Sequence, residues 1–161
     1  MRFGAIAIAT AVLAASPAIA DWKIDSIKDQ LTDKTHKSVS VTARATDKGI
    51  AARIDIFCLG IEEYTSPVVS LETTASFEPG RLRLRYRLDS DDLEPRFVPV
   101  SSDGHGVSLW VQPKSLFGKT ELHVELHPVP SPSLYFDFDL TGAEQAIRSL
   151  GCKKLDAIDP G

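Results

Sequence analysis

The sequence has little of several things, and each shortage excludes a class of protein. Only two of its 161 residues are Cys, too few for a Cys-rich zinc or iron–sulfur framework. Ten Gly and ten Pro are ordinary usage, which excludes collagen-like or low-complexity order. There is no basic excess, since 18 Lys plus Arg stand against 22 Asp plus Glu. General nucleic-acid binders carry such an excess, so no nucleic-acid partner is expected. Beyond residue 20 no stretch reaches the roughly 18 apolar residues of a membrane-spanning helix. The chain also lacks a G-x-S-x-G nucleophile turn, a phosphate-cradling glycine loop and a C-x-x-C pair. No cofactor is expected.

The first twenty residues read as an address. Met1 and Arg2 form a short positive start, and Phe3 to Ala15 is an apolar run. Pro17 breaks it, and Ala18-Ile19-Ala20 has the small-x-small pattern that signal peptidase recognises. Residues 1–20 are therefore expected to be a signal peptide cleaved after Ala20. Residues 21–161 then form a single β-rich domain, periplasmic or secreted, with no transmembrane segment. Export places Cys58 and Cys152 in an oxidising compartment, where a pair of this kind becomes a disulfide. Cys58 is in phase with Ile54 and Ile56 and so faces the core if this segment is a strand. The bond would close most of the fold into one loop, worth about 4–5 kcal/mol in the chain-entropy model.

The remaining chain has a period of two almost throughout. Trp22 to Ile24 reads as a short first strand, followed by a polar stretch to Lys37. Ser38 to Ala45, Ile50 to Leu59 and Pro67 to Thr74 alternate, with a turn at Asp47-Lys48-Gly49. Arg81 to Leu88 is the cleanest case, with Leu82, Leu84, Tyr86 and Leu88 opposite four arginines. Arg96 to Val100 and Val107 to Val111 flank a Ser101-Ser102-Asp103-Gly104 turn. Glu121 to His127 and Leu134 to Leu140 complete the set across a proline-rich connection. One buried and one wet face per strand is the mark of antiparallel sheets. The fold class is mainly β: an antiparallel β-sandwich or curled sheet with one short C-terminal α-helix. That helix starts at a predicted capping box, Thr141 as N-cap and Glu144 three residues on. Ala143, Ile147 and Leu150 share its inner face, and Gly151 ends it. A weaker helical turn is expected around Pro113 to Phe117.

Four groups of residues carry chemistry. Arg81, Arg83, Arg85 and Arg87 share one strand face and span about 20 Å. They either bind an anion or are neutralised by Glu121/Glu125 and Asp137/Asp139, acidic ladders of matching period. His123-x-Glu125-x-His127 places two imidazoles about 13–14 Å apart on a strand, too far to share one ion. Asp89, Asp91, Asp92 and Glu94 could meet calcium, but their spacing is not an EF-hand. A hydrolase would use His123 or His105 with this acidic loop. No convergent catalytic set and no metal site is expected from these patterns.

Several features in this order resemble the VasI-type family, exported proteins found with bacterial type VI secretion genes and also outside them. They are Trp22, Leu31-Thr32-Asp33, a strand ending in Phe57-Cys58, Tyr86-Arg87-Leu88-Asp89 and Ser101-Ser102-Asp103-Gly104. Last comes Phe136 to Gly142, running into an Ala- and Ile-containing helix closed by Cys152. The resemblance implies a periplasmic accessory protein without established catalytic residues. The expected function is that of an exported envelope accessory or binding protein, non-catalytic, with an envelope protein or cell-wall component as partner and a type VI secretion system as one setting. The alternatives are a small exported hydrolase or a polyanion-binding protein using Arg81 to Arg87.

Overall fold

The computed structural model describes residues 21–28, 35–46, 49–59, 66–91 and 94–153. The leader, the Leu31-Thr32-Asp33 stretch, the Asp47-Lys48 part of the first turn and Asp92 lie outside them. Among the described residues the chain is mainly β, in two antiparallel five-stranded sheets with one short α-helix. The strands are β1 (Lys23–Lys28), β2 (Thr35–Thr42), β3 (Ala45–Thr46), β4 (Ala52–Leu59) and β5 (Ser66–Thr73), followed by β6 (Arg81–Leu88), β7 (Glu94–Pro99), β8 (Gly106–Ser108), β9 (Glu121–His127) and β10 (Leu134–Asp139). The first sheet has the order β1-β2-β4-β5-β8 and the second β3-β10-β9-β6-β7.

Alternation in sequence becomes rows of apolar side chains across each sheet. In the second sheet Leu84, Leu126 and Leu134 stand in one register row. Tyr86, Val124 and Phe136 form the next, and Leu88, Leu122 and Phe138 the third. The first sheet answers with Val41, Ile54, Leu71 and Val107, and with Val39, Ile56 and Val69. All of these are buried and belong to one hydrophobic cluster. Each fully buried aliphatic contributes about 1.5–3 kcal/mol from removal of its surface from water.

Among the described strands the chain passes between the sheets five times, and two of these passages are tight corners. After β2, the Ala43 N–H donates to Ala52 in the first sheet, and the next N–H, that of Arg44, donates to Asp137 in the second. The other corner lies at the Ser101–Gly104 turn. Its flanking segments look like a hairpin in sequence, but β7 joins the second sheet and β8 the first, with a single Val100–Val107 bridge between them. Gly104 sits in this corner at φ 78°, where a Cβ would stand 2.9 Å from the Phe77 carbonyl oxygen. The strand expected over Val107 to Val111 stops at Ser108, before Trp110 turns to φ 50°.

Two expectations are corrected at the termini of elements. β1 and β2 extend through Lys28 and from Thr35, into the stretch read as polar connection. Residues 23–26 and 35–37 are exposed on both faces, so their pairing rests on main-chain hydrogen bonds and leaves no alternation to read. The capping box at Thr141 does not form. The helix α1 (Ala143–Ser149) takes Gly142 as N-cap at φ 86° with no side-chain cap. The Thr141 N–H instead donates to Asp139 Oδ1, and its carbonyl accepts from the Trp22 indole. Glu144 pairs with Arg148 one turn on. The predicted turn at Pro113 is a 3-10 turn, Pro113–Leu116. Arg148 lies over the ring of Phe117, 5.1 Å from its centroid. Cys152 follows Gly151 and is bonded to Cys58, with Cα atoms 5.6 Å apart and a sequence separation of 94.

Candidate functional site

The outward face of the second sheet gathers most of the residues singled out in sequence. Because β6 lies between β7 and β9, every arginine of the ladder has a defined cross-strand neighbour. Arg83 stands between Phe97 and His127, Arg85 between Pro95 and Glu125, and Arg87 beside His123. Arg81 is opposite Pro99. One face thus carries four transverse rows of different chemistry.

The ladder is divided in its middle. Arg85 Nε lies 2.9 Å from Glu125 Oε2. Glu125 is the hub of the face: the Tyr135 hydroxyl donates to its other oxygen at 2.9 Å, and His127 Nε2 stands 3.0 Å from that same oxygen. Neither Arg85 Nε nor His127 Nε2 makes an aligned hydrogen bond there, so these are charge contacts, the second one only when the imidazole is protonated. Arg81 and Arg83 have no ion pair among the described residues. Arg87 has none among them either, and its Nε is buried without a hydrogen-bond partner. The expected 20 Å of continuous positive surface is therefore interrupted at Arg85, with Arg81 and Arg83 on one side and Arg87 on the other.

The opposite end of the face is acidic and self-contained. The His123 Nδ1 donates to Asp137 at 2.6 Å, with Nε2 3.4 Å from Glu121. Arg44 contacts both Asp139 and Glu121. Asp139 is held below its ordinary carboxylate range. Burial alone would raise it, but hydrogen bonds from Thr141 and the Arg44 guanidinium outweigh that. The two histidines read as a solvated strand face are both half-buried, His123 in this network and His127 beside Glu125.

Asp89 has a structural commitment. Its Oδ1 accepts from the Thr120 N–H, the Thr120 hydroxyl and the Glu121 N–H. The main-chain N–H of Thr120 is the largest cause holding its carboxyl low. Lys119 Nζ lies 2.7 Å from Asp91 and 4.0 Å from Asp89, so an ammonium already sits beside these two members of the acidic loop. Among the described residues no three His, Cys, Asp or Glu side chains gather as a metal site.

His105 belongs to the other corner. Its ring Nδ1 lies 2.9 Å from the Ala75 carbonyl oxygen, and its main-chain N–H donates to Asp103 Oδ1. The Ser101 hydroxyl donates to Asp103 and accepts from the Gly106 N–H. These bonds lock a turn, and the serine faces the carboxylate rather than the imidazole. A Ser133–His127–Glu125 sequence of contacts also exists, with Ser133 Oγ 2.8 Å from His127 Nδ1. Pro128, Pro130 and Pro132 remove three main-chain N–H groups from the surrounding loop, and an oxyanion would need such donors.

Sequence reasoning missed a cleft at the basic end. A cavity of about 390 Å³ opens there, with Arg81, Arg83, Phe97, His127 and Val129 in its walls. Phe97 is 59% exposed and Val129 87%. Phe97 gave a signal, since it occupies the outward phase of an alternating segment, but its juxtaposition with Arg83 depends on strand order. A second cavity, of about 630 Å³, lies against the start of α1 and includes Lys119, Glu144 and Arg148 but no histidine. Compared with protein-family models, curated proteins and solved structures, the chain matches none.

Proposed function

We propose that this chain is an exported, non-catalytic binding module of the cell envelope, engaging its partner through the outward face of the second sheet. The observation that carries this reading is the mutual pairing of ionisable side chains across strands. His123 turns to Asp137 and Glu121, Glu125 to Arg85 and Tyr135, and Asp89 to main-chain donors. Groups held this way form an array with alternating charge, suited to complementary recognition. Catalysis would need them to converge on one reacting atom. The Cys58–Cys152 bond and the leader pattern support an extracytoplasmic setting. The resemblance to VasI-type proteins supports an accessory role, with a type VI secretion system as one setting and an envelope protein or cell-wall component as partner.

The test uses the full chain with its own leader and a C-terminal tag, expressed in a bacterial host. The expected product starts at Asp21, is recovered from the envelope fraction and has no alkylatable thiol. It should retain a component of envelope extract that a charge-reversed face, Arg83→Glu with Arg85→Glu, fails to retain. An intact leader with two free thiols would overturn the location. Ester or glycan turnover abolished by His127→Ala would overturn the non-catalytic reading.

A further inference from the structure

We infer that the cleft at the basic end of the second sheet binds a small amphipathic anion, a single carboxylate or phosphate set beside a flat apolar group. The inference rests on the binding reading above and names the ligand chemistry of one part of that face. Three observations meet there.

The first is charge. Arg81 and Arg83 are two residues apart on one strand face, so their Cα atoms are about 7 Å apart. Neither has an ion pair among the described residues, while the next arginine in the ladder lies against Glu125. Two uncompensated guanidiniums at this spacing can bracket one anionic group, and the planar fork of Arg suits carboxylate and phosphate oxygens. Glu78 also lines the cavity. Its charge repels a second anionic group, which disfavours a polyanion and favours a ligand with one.

The second is apolar surface beside that charge. Phe97 is directly opposite Arg83 across β6 and β7 and is more than half exposed. Val129 forms an exposed rim on the other side. Another β-strand is a poor explanation for this exposure. β7 is an edge of its sheet, and Pro95 and Pro99 on either side of Phe97 lack the N–H groups a further strand would use. A planar group stacked on Phe97 would cover the ring and leave its anion within reach of Arg83.

The third is enclosure. About 390 Å³ falls at the small end of ligand pockets. It suits a chain terminus or a compact molecule, and a long polymer strand would need the continuous positive track that Glu125 interrupts.

The experiment is an NMR titration of the full-length protein, processed as it is exported, with three probes: N-acetylphenylalanine, its neutral amide and phenyl phosphate. Shifts centred on Arg83, Phe97 and Val129 are expected with at least one anion, at a Kd at least tenfold below that of the amide. Carboxylate alone, phosphate alone or both would each support the proposal and assign the source of the anion. Arg81→Gln with Arg83→Gln should weaken the anions at least tenfold, Phe97→Ser should do likewise, and Arg87→Gln should leave them unchanged. These positions are on the surface, and unchanged thermal unfolding of each variant checks that the fold persists. Equal binding of amide and anions, or undiminished binding by the double Arg variant, overturns the proposal. If the double variant loses the small anions yet still retains its envelope component, the cleft stands and the partner surface lies elsewhere on the face. If no probe binds but capture persists, the cleft assignment falls and the binding reading survives.

Discussion

Arg85 and Glu125 face each other across β6 and β9, Nε 2.9 Å from Oε2, and this one pair interrupts a four-arginine ladder, leaving Arg81 and Arg83 on one side and Arg87 on the other. The glutamate is the more constrained partner, its side chain 12% exposed against 34% for the arginine.

Glu125→Ala should therefore cost more than Arg85→Ala. Removing the carboxylate leaves the Tyr135 hydroxyl without its acceptor, and the part-buried Arg85 and His127 without the charge beside them. A loss of about 1–3 kcal/mol is expected, the range for unsatisfied buried polar groups. Arg85→Ala should cost about 1 kcal/mol or less, as for a partly solvated pair. Urea unfolding of the two single variants and the double variant would measure the coupling, and no coupling would refute the hub role of Glu125.

Loss of the disulfide should be the largest single effect. Cys58 and Cys152 are separated by 94 positions, and a loop of that length contributes about 4–5 kcal/mol in the chain-entropy model. Cys58→Ser with Cys152→Ser should unfold at much lower denaturant than the oxidised protein. A change below about 1 kcal/mol would mean that α1 and its packing hold the C-terminus without the bond.

Acid stability should depend on Asp89 and Asp139. Both carboxyls are held below their ordinary value of 3.8 in the folded protein. Their contribution is therefore present above that value and is lost as pH falls through the lower, folded one. An unfolding limb is expected below pH about 4, the ordinary range for Asp. Asp89→Asn keeps a residue type that tolerates φ 48° and a side-chain oxygen for Thr120, yet removes the charge. Combined with Asp139→Asn it should flatten the acid limb while lowering stability at pH 7. An unaltered limb in circular dichroism across pH 2–6 (the range set by ordinary carboxylate pKa values) would assign acid lability to other carboxylates.

Gly104→Ala should destabilise the corner between the sheets. Its φ of 78° and the 2.9 Å approach to the Phe77 carbonyl leave no place for a methyl group. A cost of about 1–3 kcal/mol follows from the strained backbone and the displaced contact. Gly49→Ala, with φ 75° and open space around its Cβ position, isolates the backbone part of that cost. Equal thermal shifts in the two variants would show that the Phe77 contact adds nothing.

Much of the fold was legible because period-two alternation is a local property. Leu82 to Leu88, Leu122 to Leu126 and Phe136 to Leu140 announced their buried faces before any partner was known, and β6 and β9 have the bounds read from sequence. The extension of β1 past Ile24 and the start of β2 were not legible, since residues 25–26 and 35–37 are exposed and main-chain pairing leaves no trace in side-chain type. The helix start was misread because Thr141 and Glu144 fit a cap by spacing alone. Asp139, five residues before Glu144, takes the Thr141 N–H and leaves Gly142 to begin the helix.

The sequence alone determined which side of each strand is apolar, where the chain turns, and that two cysteines stand in strand and helix contexts able to meet. Those follow from neighbours within a few residues. Tertiary structure decided which strands adjoin, because strand order depends on contacts between distant segments with similar local patterns. That order set Glu125 against Arg85 rather than Arg83, put Phe97 beside Arg83, and so turned a uniform charged stripe into one with a paired centre and a basic end flanked by an exposed ring.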